Sequence, residues 1–186
     1  MAANTSLSNQ FLIAMPNLGD PNFSRTVTLI CEHSSDGAMG IVINRPLELS
    51  LRDVLVQMNI EANEESRQQP VYLGGPVQNN RGFILHRPLG KWESTLAVTD
   101  SLGVSTSRDI LLAMAENRGP ERSLLVLGYA SWGAGQLERE IAENAWLNCP
   151  AAHEIIFDIP AETRWQAAAG RLGVNLATIS GEAGHA

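Results

Sequence analysis

Apolar and polar positions along the first half of the chain predict short strands joined by tight turns. FLIAM at 11–15, TVTLIC at 26–31 and GIVINRP at 40–46 are apolar runs rich in β-favouring residues, with turn-forming segments between them. VYLG, GFILH and TLAVT form a second set between residues 71 and 99. The pattern therefore predicts that the chain opens with β-hairpins.

Four segments carry apolar residues at the spacing of an α-helix. Ser50 and Asp53 form a helix start signal at the first, and Ser105–Ser107 precede the second. The third follows the glycine-rich stretch GYASWGAGQ at 128–136, and ETRWQAAAGRLG at 162–173 is the fourth.

Two further apolar runs complete the strand pattern. SLLVLGYA at 123–130 is typical of a buried strand, and EIIFDIP at 154–160 is interpreted as the last strand. Hairpins come first and strands alternate with helices later, so the pattern predicts a single α+β domain over residues 11–174. A flexible N-terminus at 1–10 and a loose tail at 175–186 are expected to flank it.

Composition and charge restrict the classes of function. The chain has 186 residues, of which 44% are hydrophobic, enough for one domain with a sizeable core. A net charge of −7 repels the phosphate backbone and argues against direct nucleic-acid binding. With two cysteines, no secretion signal and no long apolar run, we expect a cytoplasmic protein with free thiols and no membrane contact.

The stretch GYASWGAGQ does not match the known phosphate-binding loops. Gly128 and Gly133 have the spacing of a P-loop, but Ala134 and Gly135 stand where Lys and Ser/Thr are required. The dinucleotide fingerprint fails because Glu138 replaces its third glycine. The stretch therefore provides no complete nucleotide motif.

Two interpretations of this stretch stay open. Exposed backbone N–H groups at the start of the following helix would bind an anion, with Trp132 as a wall of the site. Alternatively, the glycines permit a tight turn and Trp132 packs into the core. The candidate ligand residues here are Trp132, Gly133, Gly135 and Gln136.

Glycines and arginines near other strand ends provide further candidates for holding a small anionic ligand or a partner segment. Gly74 and Gly75 would let backbone approach a ligand, or would merely turn a hairpin. Arginine pairs well with carboxylate and phosphate, although solvated arginines paired with nearby acids are the ordinary case. The candidate arginines are Arg25, Arg45, Arg81 and Arg87.

Cysteine and histidine residues suggest two alternatives, catalysis and metal binding. Cys31 with His33 or His86 as base would suit thiol or acyl chemistry, whereas a cysteine that ends an apolar strand is more often part of the core. A metal site could also be drawn from Cys31, His33, His86, Cys149 and His153, but these residues lack the spacing that is usual for zinc ligands. We therefore predict no metal and no cofactor.

Several motifs together resemble one family. They run from about Phe11 to Gly173 in the order MPNLGDPNFSRTV, CEHSSDGAMGIVINRP, VYLGGPV, RGFILH, GYASWGAGQLE, NAWL, FDIP and RW. This combination resembles the YqgE/AlgH family of bacterial proteins. The resemblance implies a cytosolic single domain whose mixed, largely antiparallel, bifurcated sheet forms a pseudo-barrel flanked by about four helices. It implies no established biochemical activity, although the AlgH name is associated with transcriptional regulation.

Three functional hypotheses follow. The first is a non-catalytic binding or regulatory protein that acts indirectly, through a small anionic ligand or a protein partner. The second is an enzyme that uses Cys31 for thiol or acyl-transfer chemistry. The third is direct regulation by DNA binding, which the acidic charge and the lack of a recognition helix oppose.

Overall fold

Ten strands and five complete α-helices lie in residues 6–61 and 69–178, the part of the chain that the computed structural model describes. The strands are β1 (Gln10–Ala14), β2 (Val27–Ser34), β3 (Gly37–Val42), β4 (Pro46–Ser50), β5 (Pro70–Leu73), β6 (Val77–Arg87), β7 (Thr95–Ala97), β8 (Gly103–Ser105), β9 (Arg122–Gly133) and β10 (Trp146–Pro150). The helices are α1 (Leu51–Gln57), α2 (Arg108–Ala115), α3 (Gln136–Ala142), α4 (His153–Phe157) and α5 (Arg164–Gly170), with a 3₁₀ turn at Ala161–Thr163.

The strands form one curled, half-barrel sheet in the order β10-β1-β2-β3-β9-β6-β8-β7. β4 and β5 branch from this path, because β4 pairs with β5 and β5 pairs with β9. The β5–β9 pair is parallel, whereas the other pairs are antiparallel. A single domain of mixed, largely antiparallel sheet is therefore confirmed.

The sheet bifurcates along β9. Residues 125–127 pair with β5, residues 130–133 pair with β3, and β6 lies along the other side of the strand. Gly128, between the two parts, adopts a left-handed conformation with φ +79°. Only glycine adopts this conformation without strain, so the strand can change its partner there.

Helices cover both faces of the sheet. On one face, α4 and α5 pack on a core that includes Phe11, Ile13 and Val126. On the other face, α1 and α2 pack around Leu125, and α3 packs on a cluster that includes Leu12 and Trp132. Successive residues of β1 and β9 thus enter different cores, as the alternation of a strand requires.

Most elements agree with the sequence pattern. The start signal of α1 is confirmed, since Ser50 Oγ accepts from the Asp53 amide and the Asp53 carboxylate accepts from the Ser50 amide. The second, third and fourth predicted helices correspond to α2, α3 and α5. No described helix is both long and apolar enough to cross a membrane.

The prediction of a strand at 154–160 was wrong. Residues His153–Phe157 form α4, in which the Ile155 and Ile156 amides both donate to the Ala152 carbonyl. Both isoleucines are buried against the same core. A short apolar run cannot distinguish a strand from a buried helical turn by periodicity alone.

Three short strands were missed or misplaced. The run at 40–46 does not form one strand, because β3 ends at Val42 and β4 begins at Pro46. β8 and β10 had not been predicted, and β10 pairs with β1 across more than a hundred residues of sequence. Pairing between such distant segments leaves no local pattern.

The predicted ends of the domain lie partly outside the described residues. The flexible segment 1–10 includes residues 1–5, and the tail 175–186 includes residues 179–186. The boundaries of the 11–174 domain stay predictions.

Candidate functional site

The stretch GYASWGAGQ continues β9 as far as Gly133 and turns into α3 at residues 134–135, where protein side chains complete the turn. Trp132 is 4% exposed, and its Nε1 donates to Glu140 Oε1 at 3.1 Å. Trp146 Nε1 donates to the same oxygen at 3.0 Å, and Gln136 Nε2 donates to Glu140 Oε2 at 2.9 Å. The Gly133 amide donates to Gln136 Oε1 at 2.9 Å. This geometry fits the structural interpretation of the stretch.

Gly135 determines how the chain enters α3. Its φ is +73°, in the left-handed region that favours glycine. A Cβ built on this residue would meet no heavy atom within 4 Å. The backbone conformation therefore explains why glycine occupies position 135. The helix that follows, α3, is 7 residues long.

Gly74 and Gly75 lie directly against the backbone of β9. A Cβ on Gly74 would lie 2.4 Å from the Gly128 carbonyl oxygen, and a Cβ on Gly75 would lie 2.1 Å from the Tyr129 carbonyl carbon. Real Cβ atoms are not found at such distances. These glycines are required for close packing of the chain where the sheet bifurcates.

Cys31 is buried in the main core. Its side chain lies 3.6 Å from the Leu29 carbonyl oxygen, and burial, together with the charge of Glu32, raises the pKa of the thiol from 9.0 to about 12. A catalytic thiolate needs the opposite environment, one that lowers the pKa. The structure therefore gives Cys31 a packing role.

His33 is engaged away from Cys31. Its Nδ1 accepts a hydrogen bond from the Leu7 amide at 2.9 Å, and its Nε2 lies 3.5 Å from Glu138 Oε1. No hydrogen bond joins Cys31 to His33, although both belong to the described part of the chain. A bulge in β2 between Ile30 and Glu32 interrupts the alternation that places residues 31 and 33 on one face.

His86 belongs to a buried chain of hydrogen bonds. Its Nδ1 lies 3.1 Å from the Pro88 carbonyl oxygen, which can only accept, so Nδ1 carries the proton. Its Nε2 then accepts from the Ser105 hydroxyl at 2.7 Å, and Ser105 Oγ lies 2.7 Å from Thr95 Oγ1. Burial lowers the pKa of His86. Both His86 and Ser105 are 0% exposed, so this Ser–His pair lies beyond the reach of a substrate.

The considered metal ligands do not converge. Cys149 Sγ lies 3.8 Å from the Ala168 carbonyl oxygen, and burial raises the pKa of this thiol. His153 Nδ1 accepts from Arg87 Nη1 at 2.9 Å. Within residues 6–61 and 69–178, no group of three or more His, Cys, Asp or Glu side chains is placed to bind a metal ion.

Arg81 and Arg87 are held by neutral groups. The Arg81 guanidinium lies 5.5 Å from the centre of the Phe83 ring and 3.4 Å from Gln78 Oε1. Arg87 donates to His153, and burial together with the charge of Arg87 lowers the pKa of that histidine. Each of these contacts is structural, and ligand binding by either arginine stays a prediction.

Arg25 lies in the loop between β1 and β2, and Arg45 contacts that loop. Arg45 Nη1 donates to the Asn22 carbonyl at 2.7 Å, and its Nη2 donates to the Ser24 carbonyl at 2.9 Å. Burial lowers the pKa of Arg45, while the charge of Asp20 acts in the opposite direction. The guanidinium of exposed Arg25 lies 5.7 Å from the centre of the Trp165 ring.

Arg164 was not among the sequence candidates. The residue is 4% exposed, with Nε donating to the Ile159 carbonyl at 3.1 Å and Nη1 donating to the Ile43 carbonyl at 2.5 Å. Its guanidinium lies 5.1 Å from the centre of the Tyr72 ring. One sequence signal could have indicated that Arg164 is buried. It lies four residues before Ala168 in α5, so both residues are on the same, buried face of the helix.

These contacts connect three arginines through the β1–β2 loop, the segment after β3 and the start of α5. We call Arg25, Arg45 and Arg164 the arginine cluster. In the described part of the chain, no carboxylate oxygen lies within 4 Å of any of the three guanidinium groups. Arginines elsewhere do form ion pairs, Arg118 with Glu116 and Arg122 with Asp158. The cluster therefore carries positive charge without a close counter-charge from residues 6–61 and 69–178.

An open cleft of about 340 Å³ lies between the β2–β3 hairpin and the end of β9. The carboxylates at its rim oppose an anionic ligand. The lining residues are Glu32, Ser34, Asp36, Gly37, Ala38, Met39, Ser131 and Trp132.

The sequence profile of the AlgH-like family matches residues 11–177, a region that contains all of the sheet except the first residue of β1, together with α1–α5 and the arginine cluster. The chain belongs to the AlgH-like family. The resemblance based on the motifs is thereby confirmed.

Full-length bacterial relatives share the same extent. A UPF0301 protein of Thioalkalivibrio sulfidiphilus is 58% identical over 186 residues and covers all of both chains. A UPF0301 protein of Nitrosococcus oceani is 56% identical over 179 residues, with 96% of each chain covered. The names of these two relatives state no biochemical activity.

Solved structures agree with the fold. The AlgH protein from Pseudomonas aeruginosa has a TM-score of 0.82 and 50% identity, with 97% of this chain and 96% of that chain covered. Protein DIP2367 from Corynebacterium diphtheriae has a TM-score of 0.71 and 21% identity, with 92% and 90% covered. The second likeness concerns the fold alone.

Proposed function

We propose that this AlgH-like protein is a non-catalytic binding protein that holds a small anionic ligand at the arginine cluster. The observation that carries the proposal is Arg164, a buried guanidinium with no carboxylate within 4 Å among the described residues. Two carbonyls and the Tyr72 ring stabilise this guanidinium in part. A buried charge without a counter-ion is nevertheless costly, so a bound anion would recover free energy there.

Hydrogen-bond donors in the cluster support the same function. A guanidinium has five N–H donors, and Arg164 uses two of them on carbonyl oxygens of described residues, which leaves three. Arg45 likewise uses two and retains three. Donors that are fixed in place by neighbouring carbonyls and aromatic rings lose little entropy when an anion binds.

The cysteines support a binding role over the enzymatic alternative. Cys31 and Cys149 are free and buried, and burial raises the pKa of each thiol. Two free thiols also suit the reducing cytoplasm, where we place the protein.

Any role in transcriptional regulation is proposed to be indirect. The net charge of −7 opposes close approach to DNA. The bound anion, or a partner protein that responds to it, would then carry the regulatory signal.

A thermal-shift experiment with inorganic phosphate, sulfate, citrate and AMP tests the proposal. We expect at least one of these anions to raise the Tm, because a ligand that binds the folded state stabilises it. Arg25→Gln should weaken this response, since it removes an exposed charge from the cluster. Arg118→Gln is the matched control because it removes an exposed arginine outside the cluster. The proposal is wrong if no anion raises the Tm or if both variants respond alike.

A further inference from the structure

We propose that the arginine cluster recognises a phosphoryl dianion, as in a phosphate monoester, in preference to a carboxylate. This inference rests on the proposed function and names the ligand class of the same site. It is carried by the charge of the cluster, by the number of N–H donors, and by the positions of the aromatic rings.

The charge of the cluster favours a dianion. Arg25, Arg45 and Arg164 bring three positive charges, and Asp20 acts on Arg45 from beyond ion-pair distance. A monocarboxylate would leave most of this positive charge uncompensated. A phosphate monoester carries about −1.5 to −2 charges at pH 7 and compensates more of it.

The available donors favour three acceptor oxygens. Arg45 and Arg164 each retain three N–H groups after their bonds to protein carbonyls. Arg164 reaches the segment that carries Arg45, because its Nη1 donates to the carbonyl of Ile43, two residues before Arg45. A carboxylate has two oxygens, whereas a phosphoryl group has three terminal oxygens that can accept from both guanidinium groups.

The aromatic rings determine the direction of approach. The Tyr72 ring centroid lies 5.1 Å from the Arg164 guanidinium and the Trp165 ring centroid lies 5.7 Å from that of Arg25. A cation–π contact occupies no N–H donor, so the remaining donors stay available to an anion. Tyr72 is buried, whereas Arg25 is exposed. The phosphoryl group is therefore placed at Arg164 and Arg45, and the organic part of the ligand extends past Arg25 towards solvent.

Calorimetric titration of the full chain with phenyl phosphate, phthalate and benzoate tests the inference. These probes share a phenyl ring and differ in carrying a phosphoryl dianion, a dicarboxylate and a monocarboxylate. We expect phenyl phosphate to bind at least about tenfold more tightly than benzoate, since one additional charge-assisted hydrogen bond accounts for such a factor. Phthalate should be intermediate, because it matches the charge and not the oxygen geometry.

The outcomes separate the inference from the proposed function. If phthalate or benzoate binds as tightly as phenyl phosphate, the anion site stands and the phosphoryl preference is wrong. If none of the three binds, the inference is wrong, and the proposed function is decided by the thermal-shift experiment. Arg25→Gln should weaken phenyl phosphate binding several-fold, and an unchanged affinity would contradict the placement of the ligand beside Arg25.

Discussion

Trp132 donates its indole N–H to Glu140, the same carboxylate that holds Trp146. This contact fixes a buried tryptophan where β9 turns into α3. Trp132→Ala should therefore lower the free energy of unfolding by about 3–5 kcal/mol, because it leaves a cavity in a packed cluster. Urea denaturation of the variant and the parent protein measures the difference.

Trp132→Phe provides the control for this prediction. Phenylalanine retains much of the ring packing on Phe23, whose centroid lies 6.0 Å from that of Trp132, and loses the hydrogen bond to Glu140. We expect a smaller loss than for alanine, because the cavity is smaller. Equal stability of the alanine variant and the parent protein would contradict the structural interpretation of this loop.

The surroundings of Trp132 show what the sequence could and could not predict. Local signals were sufficient for the strand before it and the helix after it, since apolar periodicity and glycines act over a few residues. Trp146 reaches Glu140 from β10, a strand that forms only by pairing with distant β1. The choice between a core tryptophan and a pocket wall thus depended on the contact of Trp146 with Glu140, which no local sequence pattern indicates.

Gly75→Ala should destabilise the protein far more than Gly133→Ala. At Gly75 the new Cβ would lie 2.1 Å from the Tyr129 carbonyl carbon, and φ is +158°. At Gly133 the nearest atom is Gln136 Oε1 at 3.8 Å, an ordinary contact. Thermal unfolding should show a large loss of Tm for the first variant and a shift of a few degrees at most for the second.

The comparison tests whether Gly75 serves packing or a ligand. A merely ligand-binding glycine would tolerate alanine with little change in Tm. Similar Tm values for the two variants would therefore refute the close approach of this segment to β9.

Cys31 should resist alkylation in the folded protein. Its thiol is buried and its pKa is raised to about 12, so the reactive thiolate is scarce at neutral pH. Iodoacetamide at pH 7.5, followed by peptide mass spectrometry, should label Cys31 much more slowly in native than in urea-unfolded protein. Labelling of the native protein at the unfolded rate would contradict the packing role of Cys31 and support the enzymatic hypothesis.

The arginines illustrate the limit of residue-by-residue prediction. Arg25 and Arg45 were identified from their position at turns, and both belong to the arginine cluster. Arg164 was missed because a charged residue in an amphipathic helix is ordinarily assigned to the solvent face. Only the packing of α5 on the sheet reveals that this guanidinium is buried above Tyr72.

Stability should decrease as the pH falls from about 6.5 towards 4.5. Burial lowers the pKa of both His86 and His153 in the folded state, so the unfolded chain takes up protons first. Stability falls with pH wherever the unfolded state binds more protons, and above the unfolded histidine pKa of about 6.5 both states are neutral. Asp53 and Asp109 have lowered pKa values, so their contribution is lost only at more acidic pH, below the ordinary aspartate value of 3.8.

His153→Gln isolates one of the two histidines. Glutamine can still accept a hydrogen bond from Arg87 and does not titrate, so the fall in unfolding free energy between pH 6.5 and 4.5 should become shallower. Urea denaturation at several pH values measures the slope, and the NMR titration of the imidazole Cε1–H signals assigns each histidine. The groups that act on His153 are Arg87, which opposes its protonation, and Asp158, which favours it. Stability that rises on acidification over this range would mean that the histidines gain protons on folding, contrary to the burial that lowers the pKa of both imidazoles.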